Sequence, residues 1–328
     1  MHDEPTVGDL SEREILRRIV SRTGRAQAAM LGPGDDAAVI RTTGSVVATT
    51  DTLIEGPDFR RAWSSGYDLG WKAAAVNLAD IAAMGARPTA LLVALAIPND
   101  TPIGYVERLA DGLRDACDAL APGCAVVGGD LAQSATLTVA VTALGDTEGR
   151  DPVRRSGARE GDVVAIAGEM GVAARGLGML FGRFRGGAGE AIPVRPAELG
   201  ESDRAAIDMQ LRPQPPIGLG PVAAVSGASA MMDISDGLAL DASRLADASG
   251  VALDLSSAAL GADPELALRG GEDHALLATF APGALPPGFR EIGVVRARGA
   301  DPLLVDGSAH AGGSGWDPYR DWDGHGGA

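Results

Sequence analysis

The chain has 328 residues, 45% hydrophobic, 22% charged and only 4% aromatic, the balance of a globular enzyme long enough for two domains, each with a core built from Ala, Val, Leu and Ile. Its formal net charge of −16 argues against nucleic acid as a partner, because such proteins need basic surface to neutralise phosphates. A small phosphate ligand stays possible if something other than bulk charge holds it, and a divalent cation is the natural candidate.

In chain order, Met1 to Asp9 is polar and acidic, so no secretory signal is expected. Val7 to Arg22 is predicted to open the fold as a helix. Ser11 and Glu14 have capping-box spacing, and Ile15, Leu16, Ile19 and Val20 form one apolar stripe. The loop Gly32 to Asp36 leads into a short strand at Ala37 to Arg41, and Val46 to Thr50 is a second strand ending at Asp51. Tyr67 to Met84 has helical period and stops at Gly85, a good C-cap. A buried strand at Ala90 to Ile97, too short to span a bilayer, precedes a helix at Ile103 to Ala119. Ala125 to Val127 is a strand running into Gly128-Gly129-Asp130, and Thr136 to Leu144 alternates as a half-buried strand.

Gly149 to Gly161 carries the expected domain boundary. Beyond it come a strand at Asp162 to Ala167, a turn at Gly168 to Gly171 and a helix at Val172 to Leu180. Gly182 to Gly189 is expected to be a mobile loop. A strand at Ser229 to Ile234 enters Ser235-Asp236-Gly237, and a helix follows at Leu240 to Ala248. From Asp306 onward the chain is rich in Gly, Ser and Asp and is expected to be loosely held. The expected domains are 1–148 and 149–305 with a tail at 306–328, and the class is α/β or α+β.

Rare residues exclude several chemistries. Cys117 and Cys124 lie far from any histidine, so a zinc site is excluded, and free thiols are expected in the cytoplasm. Lys72 is the one lysine, and it does not close a glycine loop, which excludes a P-loop kinase. No H-R-D or D-F-G follows it, and no G-x-S-x-G elbow supplies a hydrolase nucleophile. His274 reads as a packing residue.

Acidic residues at element ends carry the chemistry: Asp35, Asp36, Asp51, Asp80, Asp130, Asp233 and Asp236, each beside small residues. Singly, most read as turn or cap residues, but Asp80 falls inside a predicted helix, where Asp is a poor former. Together, clustered carboxylates repel unless a cation neutralises them, and hard oxygen ligands select Mg²⁺ or Ca²⁺. Neighbouring glycines let backbone N–H groups approach phosphates. The residues by themselves point to an acidic, Gly-lined magnesium–phosphate site and leave the acceptor open.

The strings Gly34-Asp35-Asp36-Ala37-Ala38, Thr49-Thr50-Asp51-Thr52-Leu53, Asn77-Leu78-Ala79-Asp80 through Gly85-Ala86, Gly128-Gly129-Asp130, Arg155-Ser156-Gly157-Ala158, Asp233-Ile234-Ser235-Asp236-Gly237-Leu238 and Gly270-Gly271-Glu272-Asp273 span nearly the whole chain. In this order they resemble the thiamine-monophosphate kinase family of the aminoimidazole-ribonucleotide-synthetase-like superfamily. The resemblance implies a two-domain α+β (mixed α/β) fold, homodimeric through β-strands of the N-terminal domains. It implies transfer of the ATP γ-phosphate to thiamine monophosphate with several Mg²⁺ ions, in the cytoplasm and without a membrane or nucleic-acid partner. Carried over by position, Asp36, Thr49, Thr50, Asp51, Asp80, Asp130, Asp233 and Asp236 would bind magnesium. Gly129, Asp130, Arg155 and Ser235 would contact ATP; Asp58, Glu272 and Trp316 would contact the thiamine portion, Trp316 by stacking on a cationic ring. Two departures stand out: Asp58 replaces a substrate-contacting His, and Ala121-Pro122 replaces an aromatic near the nucleotide. Superfamily relatives that activate an amide, a carbamoyl group or selenide are rivals, the selenide branch lacking its N-terminal reactive Cys here. A nucleotide sensor that kept the fold is a further one.

Overall fold

The computed structural model describes residues 4–310 and 315. A single 3-10 turn at Val7–Asp9 precedes α1 (Glu12–Val20). The predicted helix starts late because Leu10 is extended, and the Ser11 hydroxyl then caps the N–H of Glu14 at 3.3 Å, as the spacing required. A two-stranded ribbon follows, β1 (Ala29–Leu31) with β2 (Val39–Ile40).

β3 (Val46–Ile54), α2 (Gly66–Ala83), β4 (Arg87–Ile97), α3 (Ile103–Leu120), β5 (Val126–Gln133) and β6 (Thr138–Asp146) make the first half. Their sheet runs β3-β6-β4-β5, parallel between β4 and β5 and antiparallel elsewhere. α2 starts on a capping box between Ser65 and Asp68 and stops at Gly85, whose φ of +71° is left-handed. Two glycines on α2 and one on α3 let the helix backbones touch: a Cβ at Gly70 would stand 2.0 Å from the Leu109 carbonyl oxygen, and one at Gly112 2.1 Å from that of Tyr67. Gly128-Gly129-Asp130, expected to follow a strand, lies inside β5. A Cβ at Gly129 would stand 1.8 Å from the Val93 carbonyl oxygen, so the glycine lets β5 close on β4.

The second half contains β7 (Val163–Ala167), α4 (Val172–Arg183), α5 (Glu201–Leu211), α6 (Leu219–Val225), β8 (Ala230–Ile234), α7 (Leu238–Ser249), β9 (Val251–Leu255), α8 (Pro264–Arg269), β10 (Ala275–Phe280), β11 (Arg290–Ala297), β12 (Leu303–Val305) and β13 (Ser308–Ala309). The seven strands run β13-β12-β9-β11-β7-β10-β8. One face is covered by α7 and α8, the other by the end of α2 with α6. A Cβ at Gly220 of α6 would stand 2.2 Å from the Ala82 carbonyl oxygen, so the two halves meet along α2. The segment expected to be a mobile loop, 182–189, is closed by hydrogen bonds from Gly186 N–H to Glu190 and from Ile192 N–H to Phe184. Residues 306–309 are likewise tied in. Ser308–Ala309 pairs with β12, and the Asp306 carboxylate accepts from Ser257 N–H and Oγ. Among the described residues no helix is long and apolar enough to cross a membrane.

Candidate active site

Strand alternation divides the candidate residues of β3. Thr49 and Asp51 point to the face covered by α2, where the Thr49 hydroxyl donates to Asp80 Oδ2 at 2.7 Å. Asn77, one turn before Asp80, accepts the Asp51 backbone N–H at 3.1 Å and donates to the Ala73 carbonyl at 2.9 Å. Thr50 points to the opposite face, donating to the Val141 carbonyl and accepting from Thr142. Asp130 shares that opposite face: its register partner is Ala94, which pairs with Ala140 and so with Thr52. β3 and β5 are the two edges of the sheet, about 14 Å apart at three strand spacings. The structure therefore brings Thr49, Asp51 and Asp80 together and leaves Thr50 and Asp130 apart from them. Asp36, Gly129 and Asp130 instead share the wall of a largely apolar 780 Å³ cavity along β5.

The second half adds Asp233, the fourth residue of β8, buried at 4% exposure. The loop after β8 and the loop before β10 are held together by their glycines and backbones. Glu272 N–H donates to the Ser235 carbonyl and His274 N–H to that of Ile234, while a Cβ at Gly271 would stand 2.4 Å from Ser235 O. Asp241, fully buried, accepts the backbone N–H groups of Ser235 and Asp236 on Oδ2 and an Arg244 N–H on Oδ1. Arg244 also binds Asp236 at 2.5 Å. Glu272 and His274 sit at φ of +70° and +52°, a left-handed backbone costing about 1–3 kcal/mol per residue that is retained where surroundings over-determine it.

Electrostatics join the two halves. Burial pushes the Asp80 carboxyl up to about 6, helped by the charges of Asp233 and Asp51. Asp51 is raised by burial and by Asp233 and Asp236, partly offset by His274. His274 meets Asp233 through Nδ1 at 3.1 Å; burial alone would lower its imidazole, and the Asp233 bond and charge outweigh that and raise it. Beside this cluster Lys72 pairs with Glu272, whose carboxyl is held below its ordinary value by the Lys72 charge despite burial. Asp58, standing where the resemblance implies His, is raised by burial and also feels Glu272, Lys72 and Asp51. Its carboxylate accepts Ile54 N–H at 2.7 Å and closes the turn after β3.

Ser235 is half-buried in the Asp233–Asp236 loop. Arg155 is exposed on the linker between the halves, where its carbonyl accepts from Ser249 Oγ at 3.0 Å. Trp316 lies outside the described residues, but Gly315 packs on Asp236: a Cβ there would stand 2.2 Å from the Asp236 carbonyl oxygen. Asp273 serves the fold, its Oδ1 accepting Ala173 N–H at 2.8 Å at the start of α4.

Sequence reasoning missed Lys72, His274, Gln210, Asp241 and Arg244. His274, expected to pack, is buried and also meets Asp233. The partners of Lys72 and His274 lie 200 and 41 residues away, beyond any spacing rule.

The donor set suits a hard cation: aspartate and threonine oxygens, with Asp51 and Asp80 raised by burial and like charge that a cation would relieve. Among the described residues no group of three or more His, Cys, Asp or Glu side chains converges as a cage.

Residues 34–147 match the family model "AIR synthase related protein, N-terminal domain". A thiamine-monophosphate kinase from Mycobacterium tuberculosis is 40% identical, the match covering 99% of this chain and 96% of the relative. A solved thiamine monophosphate kinase from Aquifex aeolicus is 35% identical with a TM-score of 0.70, covering 81% of this chain and 88% of that one. A structure described as ThiL complexed with AMPPCP and TMP gives 34% identity and a TM-score of 0.72 over 85% of this chain and 88% of that one. With motifs, fold and near full-length identity in agreement, the chain belongs to the thiamine-monophosphate kinase family.

Proposed function

We propose that this chain transfers the γ-phosphate of ATP to thiamine monophosphate, giving thiamine diphosphate and ADP. The observation that carries the reading is that Asp51 and Asp80 of the first half and Asp233 of the second feel one another's charge, with Thr49 bonded to Asp80, beside Glu272 and Asp58. A relative with the same fold binds an ATP analogue together with TMP. In the transfer an oxygen of the acceptor phosphate forms a bond to the γ-phosphorus as the bond to the ADP oxygen breaks. That oxygen is already ionised, so no general base is required. When bound, magnesium supplies charge neutralisation and alignment of the phosphates.

Asp51, Asp80 and Asp233 with Thr49 would hold magnesium, and Asp236, here paired with Arg244, is assigned to it by resemblance. Asp36, Thr50 and Asp130 remain ligands by resemblance, Thr50 and Asp130 on the far face of the sheet and Asp36 on the wall of the β5 cavity. Gly129, Asp130, Arg155 and Ser235 are assigned to ATP; the β5 cavity beside Gly129 and Asp130 offers apolar walls for the base. Asp58, Glu272 and Trp316 are assigned to the acceptor, where two carboxylates suit a ring cation.

The reading includes a homodimer, several Mg²⁺ ions, a cytoplasmic setting and division at 1–148, 149–305 and 306–328. The dimer is supported by the uncovered face of the first sheet, where Ala48, Thr52, Ile54 and Ala94 are exposed.

The test incubates purified chain with ATP, Mg²⁺ and thiamine monophosphate and separates products by chromatography, with Asp51→Asn as control. Magnesium-dependent thiamine diphosphate that is lost in the variant is expected. Intact ATP binding without product would overturn the assignment.

A further inference from the structure

Of 28 Lys and Arg residues in this chain, Lys72 alone is a lysine, and it is 5% exposed. A buried ammonium is costly unless paired. Lys72 projects from α2 in the first half and meets Glu272 Oε2 in the second. Gln210 Nε2, from α5, donates to the same Oε2 at 2.7 Å. Two helices remote in sequence thus fix one oxygen of one carboxylate. Among the described residues no donor reaches the other oxygen, Oε1. The Gln210 side-chain carbonyl is buried without a partner, so its amide is committed to holding Glu272.

The arrangement is poorly explained as a brace between the halves. The halves already meet through close packing, as at Gly220 on Ala82, and that contact needs no charge. Lys72 supplies a compact ammonium at a buried site in a chain whose other cationic side chains of this kind are arginines. Glu272 also sits in a left-handed backbone conformation, and its side chain meets α2 at Lys72.

We infer that Lys72 and Gln210 are positioning residues that lock Glu272 by Oε2 and so present Oε1 to the thiamine portion of the phosphoryl acceptor. The inference rests on the reading that thiamine monophosphate is that acceptor and that Glu272 touches it. Lys72 acts through Glu272 and does not touch the reacting phosphates. Its loss lets the carboxylate rotate or take up a proton, and acceptor binding suffers while nucleotide binding does not.

Steady-state kinetics on the full chain test this with Lys72→Met, Lys72→Arg, Gln210→Leu, Glu272→Gln and the double variant Lys72→Met/Glu272→Gln. Lys72→Met is expected to raise KM for thiamine monophosphate at least fivefold with KM for ATP within twofold. Lys72→Arg is expected to recover part of the loss, and Gln210→Leu to raise the acceptor KM about threefold. In the Glu272→Gln background, Lys72→Met is expected to add less than twofold, because a residue acting through Glu272 has nothing left to position. Independent, multiplicative effects of Lys72→Met and Glu272→Gln overturn the inference, as do equal shifts in both KM values. If Lys72→Met does not fold, Gln210→Leu is read by the same KM split and by the same cycle against Glu272→Gln. Wild-type chain that makes no thiamine diphosphate sinks the kinase reading itself. Active chain with no KM split sinks only the positioning role.

Discussion

At Asp80 a helix interior and a ligand site make opposite demands. The residue is a poor helix former placed one turn from Asn77, and burial with Asp233 and Asp51 pushes its carboxyl up to about 6 from an ordinary 3.8. A folded-state value above the unfolded one means that the folded chain holds the proton longer. Metal-free stability is therefore greatest below about pH 4 with respect to this group and falls as pH rises to about 6. Two pKa units set an upper bound of about 3 kcal/mol, reduced by whatever water reaches the carboxylate. Asp80→Asn, which still accepts from Thr49, should raise the metal-free melting temperature at pH 7.5 by about 2 °C or more and leave it unchanged near pH 4. It should also shrink the rise in melting temperature produced by Mg²⁺. Thermal melts at the two pH values check this, and equal destabilisation at both would show that repulsion does not govern the site.

Among the elements, the paired loops after β8 and before β10 bring the second half's contribution to the site. Gly271 is a glycine because a Cβ would collide with the Ser235 carbonyl, so Gly271→Ala must separate the loops that position Asp233, Asp236 and Glu272. The expected cost is about 1–3 kcal/mol in stability with at least a tenfold loss in kcat/KM; activity retained at wild-type level would show that the loops tolerate separation. The motif strings were legible in the sequence because they are local, and so were the caps at Ser11 and Gly85 and the course of α2. The strands β9 to β12 were not. They are three to eight residues long, their partners lie far away, and the pairing of Leu253 with Leu303 or of Gly293 with Leu255 has no local signature. Strand alternation in β3 places Thr50 on the face opposite Thr49 and Asp51, a division that the contiguous motif string does not carry. The aspartates were found by type. What counters their charge was not, because Lys72 and His274 acquire their roles only when distant segments meet.

On the scale of the whole molecule, the first sheet has one face under α2 and α3 and one that is largely bare. The β1–β2 ribbon covers its end near Leu92 and Leu144, and β3 is an open edge with Val46 56% exposed. A second copy would cover both. Sedimentation should give twice the chain mass, and Ala48→Lys, which puts charge on the bare face, should shift it toward the monomer. A wild-type monomer at micromolar concentration would remove the dimer from the reading.

The single lysine has a practical consequence. An amine-reactive reagent has one side chain to find in this protein, and that ε-amino group is shut between the two halves against Glu272. Its rate of acylation therefore reports how often the contact with Glu272 opens to solvent, and protection by an acceptor or nucleotide would be read at one known atom.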